Sequence, residues 1–245
     1  MDLIYEIFDG LPRQGPGDPK STQKAYSFLG ELPLNLNIID IGCGTGQQTI
    51  ELAKLSRGNV IGLDNHQPYL NELKRKVTIQ GLSDILKTIN MSMFELDFEQ
   101  NYFDIIWSEG AIYIYGLEKA LEDWRIFLKN NGYFVFSHIT WFKGDYPNDL
   151  KEYWKNEYPD IKTIEENIKI IEEKGFNLIK HFKLPKSSWW KYLYTPLEGN
   201  ITRLKEKYKK EEDKLTQINE VIMEIELFRK YSDFYGYTFF IIQKI

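Results

Sequence analysis

From residue 36 to residue 140, short apolar runs alternate with amphipathic stretches. Leu36–Ile41, Asn59–Asp64, Ile85–Ile89, Phe103–Ser108 and Tyr133–His138 are short runs dominated by apolar residues, the pattern of buried strands. Between them, Thr45–Leu55 reads as a helix. Pro68 opens a second, with Leu70, Leu73 and Val77 on one face. Leu121, Trp124 and Leu128 mark a third, closed by Asn131-Gly132. Strands alternating with helices predict parallel pairing through right-handed crossovers. Ahead of this block, residues 1–9 form a candidate short helix. A Gly/Pro-rich loop over 10–20 then ends on Asp18-Pro19, an N-cap and first-position pair. The stripe Ala25, Phe28, Leu29, Leu32 follows it.

The pattern loosens after residue 140. Thr163-Ile164-Glu165-Glu166 reads as a capping box, opening a helix with Ile164, Ile168 and Ile171 inward and Gly175 at its end. Phe176–Phe182 is a sixth strand and Tyr237–Ile242 a seventh. A long polar helix is expected over 197–231, with Leu215, Ile218, Ile222 and Ile225 as its seam. Two strands in succession around so large an insertion predict an antiparallel last strand. The expected architecture is α/β: a doubly wound, mostly parallel seven-stranded sheet, its last strand antiparallel, with helices on both faces. One domain spans 1–245, with a cap segment over 1–35, a ligand-binding core over 36–140 and a substrate side over 141–245.

Composition narrows the chemistry. The chain has 245 residues and one cysteine, Cys43, so an internal disulfide or multi-cysteine metal site is excluded. His66, His138 and His181 are scattered without ligand spacing, and no metal is expected. The net charge is −5, the wrong sign for a nucleic-acid footprint, and the longest charge run (203–214) interleaves both signs. Met1-Asp2-Leu3-Ile4-Tyr5-Glu6 lacks a basic n-region, and no run is long and apolar enough to span a membrane. A cytoplasmic protein, free of membrane and nucleic acid, is the expectation. Of 37 aromatic rings, 25 lie in residues 123–245.

Asp40-Ile41-Gly42-Cys43-Gly44-Thr45-Gly46 carries the chemistry. It links a strand to a helix, where glycines admit close backbone approach and the helix N-terminus presents free N–H groups. Asp64 closes the next strand, placed to accept both hydroxyls of a ribose. A dinucleotide turn wants a glycine where Gln47 stands. Asp40, two residues before the first glycine, suits an ammonium better than a pyrophosphate. An adenosine ligand with an amino-acid end fits both.

The segment Asp40–Gly46 closely resembles the first motif of class I S-adenosylmethionine-dependent methyltransferases. Ile61–Asp64, Ser92–Phe98 and Phe103–Gly110 resemble the family's second-strand, adenine-side and fourth-strand motifs in the same order. Gln14–Gly17, Trp107–Tyr113 and Leu184-Pro185 resemble a bacterial small-molecule subgroup of unknown substrate. The resemblance implies that Gly42, Cys43 and Gly44 underlie the methionine moiety and that Asp40 faces its ammonium. Asp64 and Asn65 then hold the ribose, Ser92 and Met93 line the adenine, and Ser108, Glu109 and Gly110 lie near the sulfonium. Phe94 departs from the family, which often has Asp there, leaving adenine to backbone, Ser92 and Met93.

Methyl transfer from a sulfonium is an in-line displacement with a neutral leaving group. Alignment alone is worth about 7–11 kcal/mol, so no triad is demanded. His138, at a strand end, is the candidate base, and Glu109 a candidate orienting or catalytic acid. Cys43 reads first as a small residue in a crowded turn. Tyr113, Trp141, Trp189 and Trp190 are candidate acceptor-pocket walls. Trp189 and Trp190 cannot both face the core if extended. The leading reading is a methyltransferase acting on a small molecule, as monomer or homodimer. A nicotinamide-dependent oxidoreductase and a non-catalytic methyltransferase-like binding protein are the alternatives.

Overall fold

The computed structural model describes residues 3–245; Met1 and Asp2, part of the expected first helix, lie outside them. Two helices come first, α1 (Leu3–Ile7) and α2 (Pro19–Tyr26), the latter capped by the Asp18 carboxylate on the Ser21 amide. Then follow β1 (Asn37–Ile41), α3 (Gln47–Ser56), β2 (Asn59–Asp64), α4 (Gln67–Ile79), β3 (Leu86–Asn90) and β4 (Phe103–Glu109). After α5 (Ile112–Tyr115) and α6 (Leu117–Asp123) come β5 (Leu128–Trp141), α7 (Asn148–Glu157), β6 (Lys162–Thr163) and α8 (Ile164–Glu173). β7 (Phe176–Lys183), α9 (Lys186–Trp189), α10 (Thr195–Lys207), α11 (Glu212–Tyr231) and β8 (Tyr235–Lys244) complete the chain.

The sheet order is β3-β2-β1-β4-β5-β8-β7. β1 to β5 run parallel, and β8 lies antiparallel between β5 and β7. The expected seven strands and the reversed last strand are therefore present. An eighth, β6, is only two residues long and pairs with the end of β5. Side chains alternate between two cores, as a sheet covered on both faces requires. Ile38, Val60, Ile105, Val135 and Ile241 enter one core; Ile39, Leu63, Ile106, Phe134 and Phe240 enter the other.

Three boundaries differ from the pattern. The helix expected to run through Leu128 stops at Asp123, a tight turn follows over Trp124–Phe127, and Leu128 already belongs to β5. Leu128 pairs with Phe103 and is fully buried, so its apolar side chain serves the sheet core rather than a helix stripe. The helix expected over 197–231 is two, α10 and α11. It breaks at Tyr208, whose hydroxyl turns inward to donate to Glu6 of α1 at 2.6 Å. The chain can then fold α11 back beside α10 and bury both seams. The stripe Ala25–Leu32 outruns its helix, since α2 ends at Tyr26.

The carboxyl ends of β1, β2 and β4 meet where the strand order reverses direction, the place where open α/β sheets bind ligands. Among the described residues no helix is long and apolar enough to cross a membrane. The capping box at Thr163 forms in both directions: the Glu166 amide donates to Thr163 Oγ1 at 3.2 Å, and the Thr163 amide donates to Glu166 Oε2 at 2.8 Å. Thr163→Ala should lower stability by about 1 kcal/mol, read from chemical denaturation midpoints at unchanged slope.

Candidate active site

The turn after β1 folds as a glycine turn must. Gly42 and Gly44 hold φ of +75° and +54°, in the left-handed region that side-chain-bearing residues avoid. A Cβ on Gly42 would sit 2.4 Å from the Ala111 methyl, and one on Gly44 2.7 Å from Gln14 Oε1. Asp64, at the end of β2, braces the turn. Its carboxylate accepts from the Gly44 amide and from the His66 amide, each at 2.9 Å. Burial raises the Asp64 pKa above the ordinary carboxylate value despite these bonds.

A cavity of about 330 Å³ opens over this turn. Gly42, Cys43, Gly44, Asp64, Asn65, Met93, Glu109 and Tyr113 of the expected set line it. Phe94, half exposed, also lines it and packs against Tyr115 at 5.0 Å. The Cys43 thiol is buried and pushed well above its usual pKa by desolvation and the nearby Asp40 and Asp64 carboxyls. It stays protonated at neutral pH, as a packing residue would.

Six expected residues line neither this cavity nor the second one described below. Asp40 is fully buried under the turn, with Oδ2 accepting from Thr49 Oγ1 at 2.6 Å and Oδ1 unpartnered. Desolvation, reinforced by Glu109, pushes its carboxyl up to about 7. Ser108 donates to the Ile41 carbonyl at 2.9 Å, so its hydroxyl stitches β4 to β1. Ser92 Oγ accepts from the Phe94 amide at 3.2 Å, bonding within its own turn. His138 is buried inside the sheet against Tyr158, with Nδ1 unpartnered; burial and Lys162 lower its pKa to about 3. It lines neither cavity, so the structure gives the candidate base no access to a ligand. Trp141 stacks on Tyr146 at 4.0 Å within the core. Trp190 is half-buried, packed on Tyr194 and Phe228, with the Arg229 guanidinium 4.4 Å from its ring centre.

Trp189 and Trp190 part company because the chain is helical there rather than extended. α9 runs into a wide π turn, Trp190–Tyr194. Trp189 stacks on Phe228 at 4.2 Å and faces a second cavity of about 190 Å³. The two cavities share Gln14, Gly15, Gly110 and Tyr113.

The roof over the junction comes from the 10–20 loop, which the sequence predicts to cover the site without naming Arg13 as its anchor. Arg13 reaches down to the end of β4 and pairs with Glu109 at 2.8 Å, with both side chains out of solvent. Glu109 also accepts from Thr22 Oγ1 at 2.7 Å and Trp107 Nε1 at 2.9 Å. Both carboxylate oxygens are thereby engaged, and Glu109 anchors the roof rather than standing free as an acid. Gln14 Oε1 accepts from the Thr45 amide at 2.9 Å, at the mouth of α3. Arg13 is the one charge in 10–17, the signal that this loop docks through a side chain. Tyr5, stacked on His66 at 3.6 Å, and Tyr69 complete the rim beside Asp64.

Comparison with known proteins agrees with this geometry. A family model described as a methyltransferase domain matches residues 34–221. The chain belongs to that family, and its fold is that of class I S-adenosylmethionine-dependent methyltransferases. It is 25% identical over 177 residues to the sterol 24-C-methyltransferase erg-4 of Neurospora crassa, covering 68% of this chain and 46% of that one. The chain thus spans about half the length of the curated relatives it matches. Among solved structures, YjhP from E. coli superimposes with a TM-score of 0.86 at 14% identity over 100% of both chains. A SAM-dependent methyltransferase from Geobacter sulfurreducens, in complex with S-adenosyl-L-homocysteine, gives 0.83 at 15% identity over 100% of this chain and 98% of that one.

Two outcomes test the buried charges. Glu109→Ala strands the Arg13 guanidinium and should cost about 3–5 kcal/mol in denaturant unfolding, much of it restored when Arg13 is also made apolar. For Asp40, the folded state keeps a proton that the unfolded chain releases near pH 4. The stability tied to that proton is complete below the unfolded pKa and is lost as pH rises towards about 7. The stability of Asp40→Asn relative to the native chain should therefore climb between pH 4 and 7; a difference flat across that range would refute it.

Proposed function

We propose that this chain transfers a methyl group from S-adenosylmethionine to a small-molecule acceptor. The observation that carries the reading is the pair of cavities joined at Gly110 and Tyr113: one on the glycine turn, one walled by rings. The residues present fit the cofactor. The glycine turn leaves room for close approach, and Asp64 stands on the cavity wall with lone pairs beyond those its two amides use. When bound, S-adenosylmethionine supplies an electrophilic methyl on a sulfonium that departs as a neutral thioether.

The protein's part is placement. Gly42 and Gly44 support the amino-acid end, with Asp40 buried beneath the turn. Asp64 and Asn65 hold the ribose, with Tyr5 and Tyr69 at its rim. Met91, Met93 and Phe94 offer apolar surface to the base. Gln14, Gly15 and Tyr113 close the junction against water, which sharpens every electrostatic contact inside. Residues 36–140 serve the cofactor, and 141–245 with the 10–18 loop serve the acceptor. The second cavity is smaller than the roughly 300–1,000 Å³ of drug-sized ligand sites, which supports a small acceptor. The nicotinamide reading is left with the glycine turn and Asp64 alone, against the methyltransferase family match.

Calorimetry with S-adenosylhomocysteine tests the proposal. Binding in the micromolar range is expected, weakened tenfold or more in Asp64→Ala by loss of about 1.4 kcal/mol or more. No heat at millimolar ligand, or an unchanged affinity in that variant, would overturn it.

A further inference from the structure

The second cavity has an unusual electrostatic makeup. Two carboxylates, Glu157 and Glu224, lie on its wall, and among the described residues no lysine, arginine or histidine does. The rest is largely aromatic: six tyrosines and two tryptophans turn faces or edges towards the space. Ring faces carry partial negative charge, so rings and carboxylates act in the same sense.

Glu224 projects from α11 and accepts one hydrogen bond, from Tyr194 Oη at 2.7 Å. Among the described residues no cationic side chain lies within ion-pair distance of this half-buried carboxylate. The nearby basic side chains are taken elsewhere: Arg229 pairs with Glu198 and Glu226, and Lys230 with Asp149. Burial and the repulsion of Glu157 raise the Glu224 pKa. A second, independent observation points the same way. Tyr235 is 1% exposed, lines the cavity, and its hydroxyl has no partner in the protein. Trp154 Nε1 on the same wall is likewise unpartnered. A polar atom buried without a partner costs about 1–3 kcal/mol, which a ligand group bonding to it would recover.

We propose that the second cavity is a site for a small organic cation, with Glu224 as its counter-charge and the tyrosine and tryptophan rings as its cage, so that the methyl acceptor belongs to the amines. The amine enters as its ammonium. Its charge faces Glu224, its carbon skeleton lies against Trp189 and Tyr237, and an oxygen or second polar group reaches the Tyr235 hydroxyl. The ammonium gives its proton to Glu224, and the amine attacks with the nitrogen lone pair it regains. The new N–CH3 bond replaces the S–CH3 bond of the sulfonium, which departs as a neutral thioether. An anionic acceptor meets two carboxylates with no compensating cation and is excluded. A neutral apolar acceptor fills the ring-lined space but leaves Glu224 without a counter-charge and Tyr235 without a bond. This assignment rests on the methyltransferase reading for calling the ligand an acceptor, while the cation preference is a property of the cavity alone.

The test is calorimetry on the full chain, with and without saturating S-adenosylhomocysteine. The probes are choline and its neutral carbon isostere, dimethylbutanol, which match in shape and differ in charge. Choline should bind roughly tenfold or more tighter than the isostere, the scale of a desolvated cation–ring and ion-pair contact. Glu224→Gln should abolish that preference while leaving the melting temperature and S-adenosylhomocysteine affinity near those of the native chain. Equal affinities for the two probes, failure of both to bind, or a preference that survives Glu224→Gln would each overturn the proposal. If S-adenosylhomocysteine fails to bind but choline retains its advantage, the cofactor reading falls and the cation site stands.

Discussion

The buried ion pair between Arg13 and Glu109 is the constraint on which the site depends. Neither side chain reaches water, so neither charge is tolerable without the other. That requirement ties a glycine- and proline-rich segment with little core of its own to the carboxyl end of the central strand β4. The same carboxylate holds Thr22 of α2 and Trp107 of its own strand, so one side chain fixes a helix, a loop and a strand end together. Gln14 and Gly15 are thereby held over the glycine turn, which converts an open strand edge into two adjoining cavities. Gly17 belongs to the same device, since a Cβ there would lie 2.5 Å from the Arg13 guanidinium.

The division of labour between the halves of the chain follows from what each must touch. The glycine turn needs small residues, because backbone must approach ligand and Ala111 and Gln14 already crowd it. The acceptor side needs surface that is apolar yet able to hydrogen-bond, and tyrosine supplies both in one side chain. The excess of rings after residue 123 therefore serves two ends. Phe134, Phe136, Phe176 and Phe240 fill the sheet core. Tyr153, Trp154, Trp189, Tyr194, Tyr235 and Tyr237 wall the second cavity.

The sheet was legible because strands and helices differ in period, and that difference is written locally. The alternation of strands with helices and the glycine turn with Asp64 follow from local spacing, and the reversed last strand from the large insertion before it; the order of strands in the sheet is given by the structure. Boundaries set by tertiary contact were not legible. Leu128 fits a helix stripe as well as a strand until Phe103 is known to lie beside it, and the break at Tyr208 depends on Glu6, far away in sequence. Among site residues, those on the turn and strand ends were readable, because the backbone alone carries them to the edge. Ser108 and His138 also sit near strand ends, but alternation along a buried strand sends their side chains into the sheet rather than the cavity. Arg13 and Glu224 arrive through long-range packing and leave only faint traces, such as a lone charge among residues 10–17.

The roof segment also has a place in time. Arg13 leaves the ribosome 96 residues before the carboxylate that receives it, and Asp18 precedes its hydrogen-bonding partner Ser188 by 170 residues. Sheet strands β1 to β4 can pair in the order they are made, through short crossovers, but Arg13 has no counter-charge until β4 exists, and Asp18 no Ser188 until α9 does. The bonds that complete the roof thus join segments far apart in sequence. The ligand cavity therefore depends on contacts of high sequence separation, the kind that close late because loop-closure entropy must be met first.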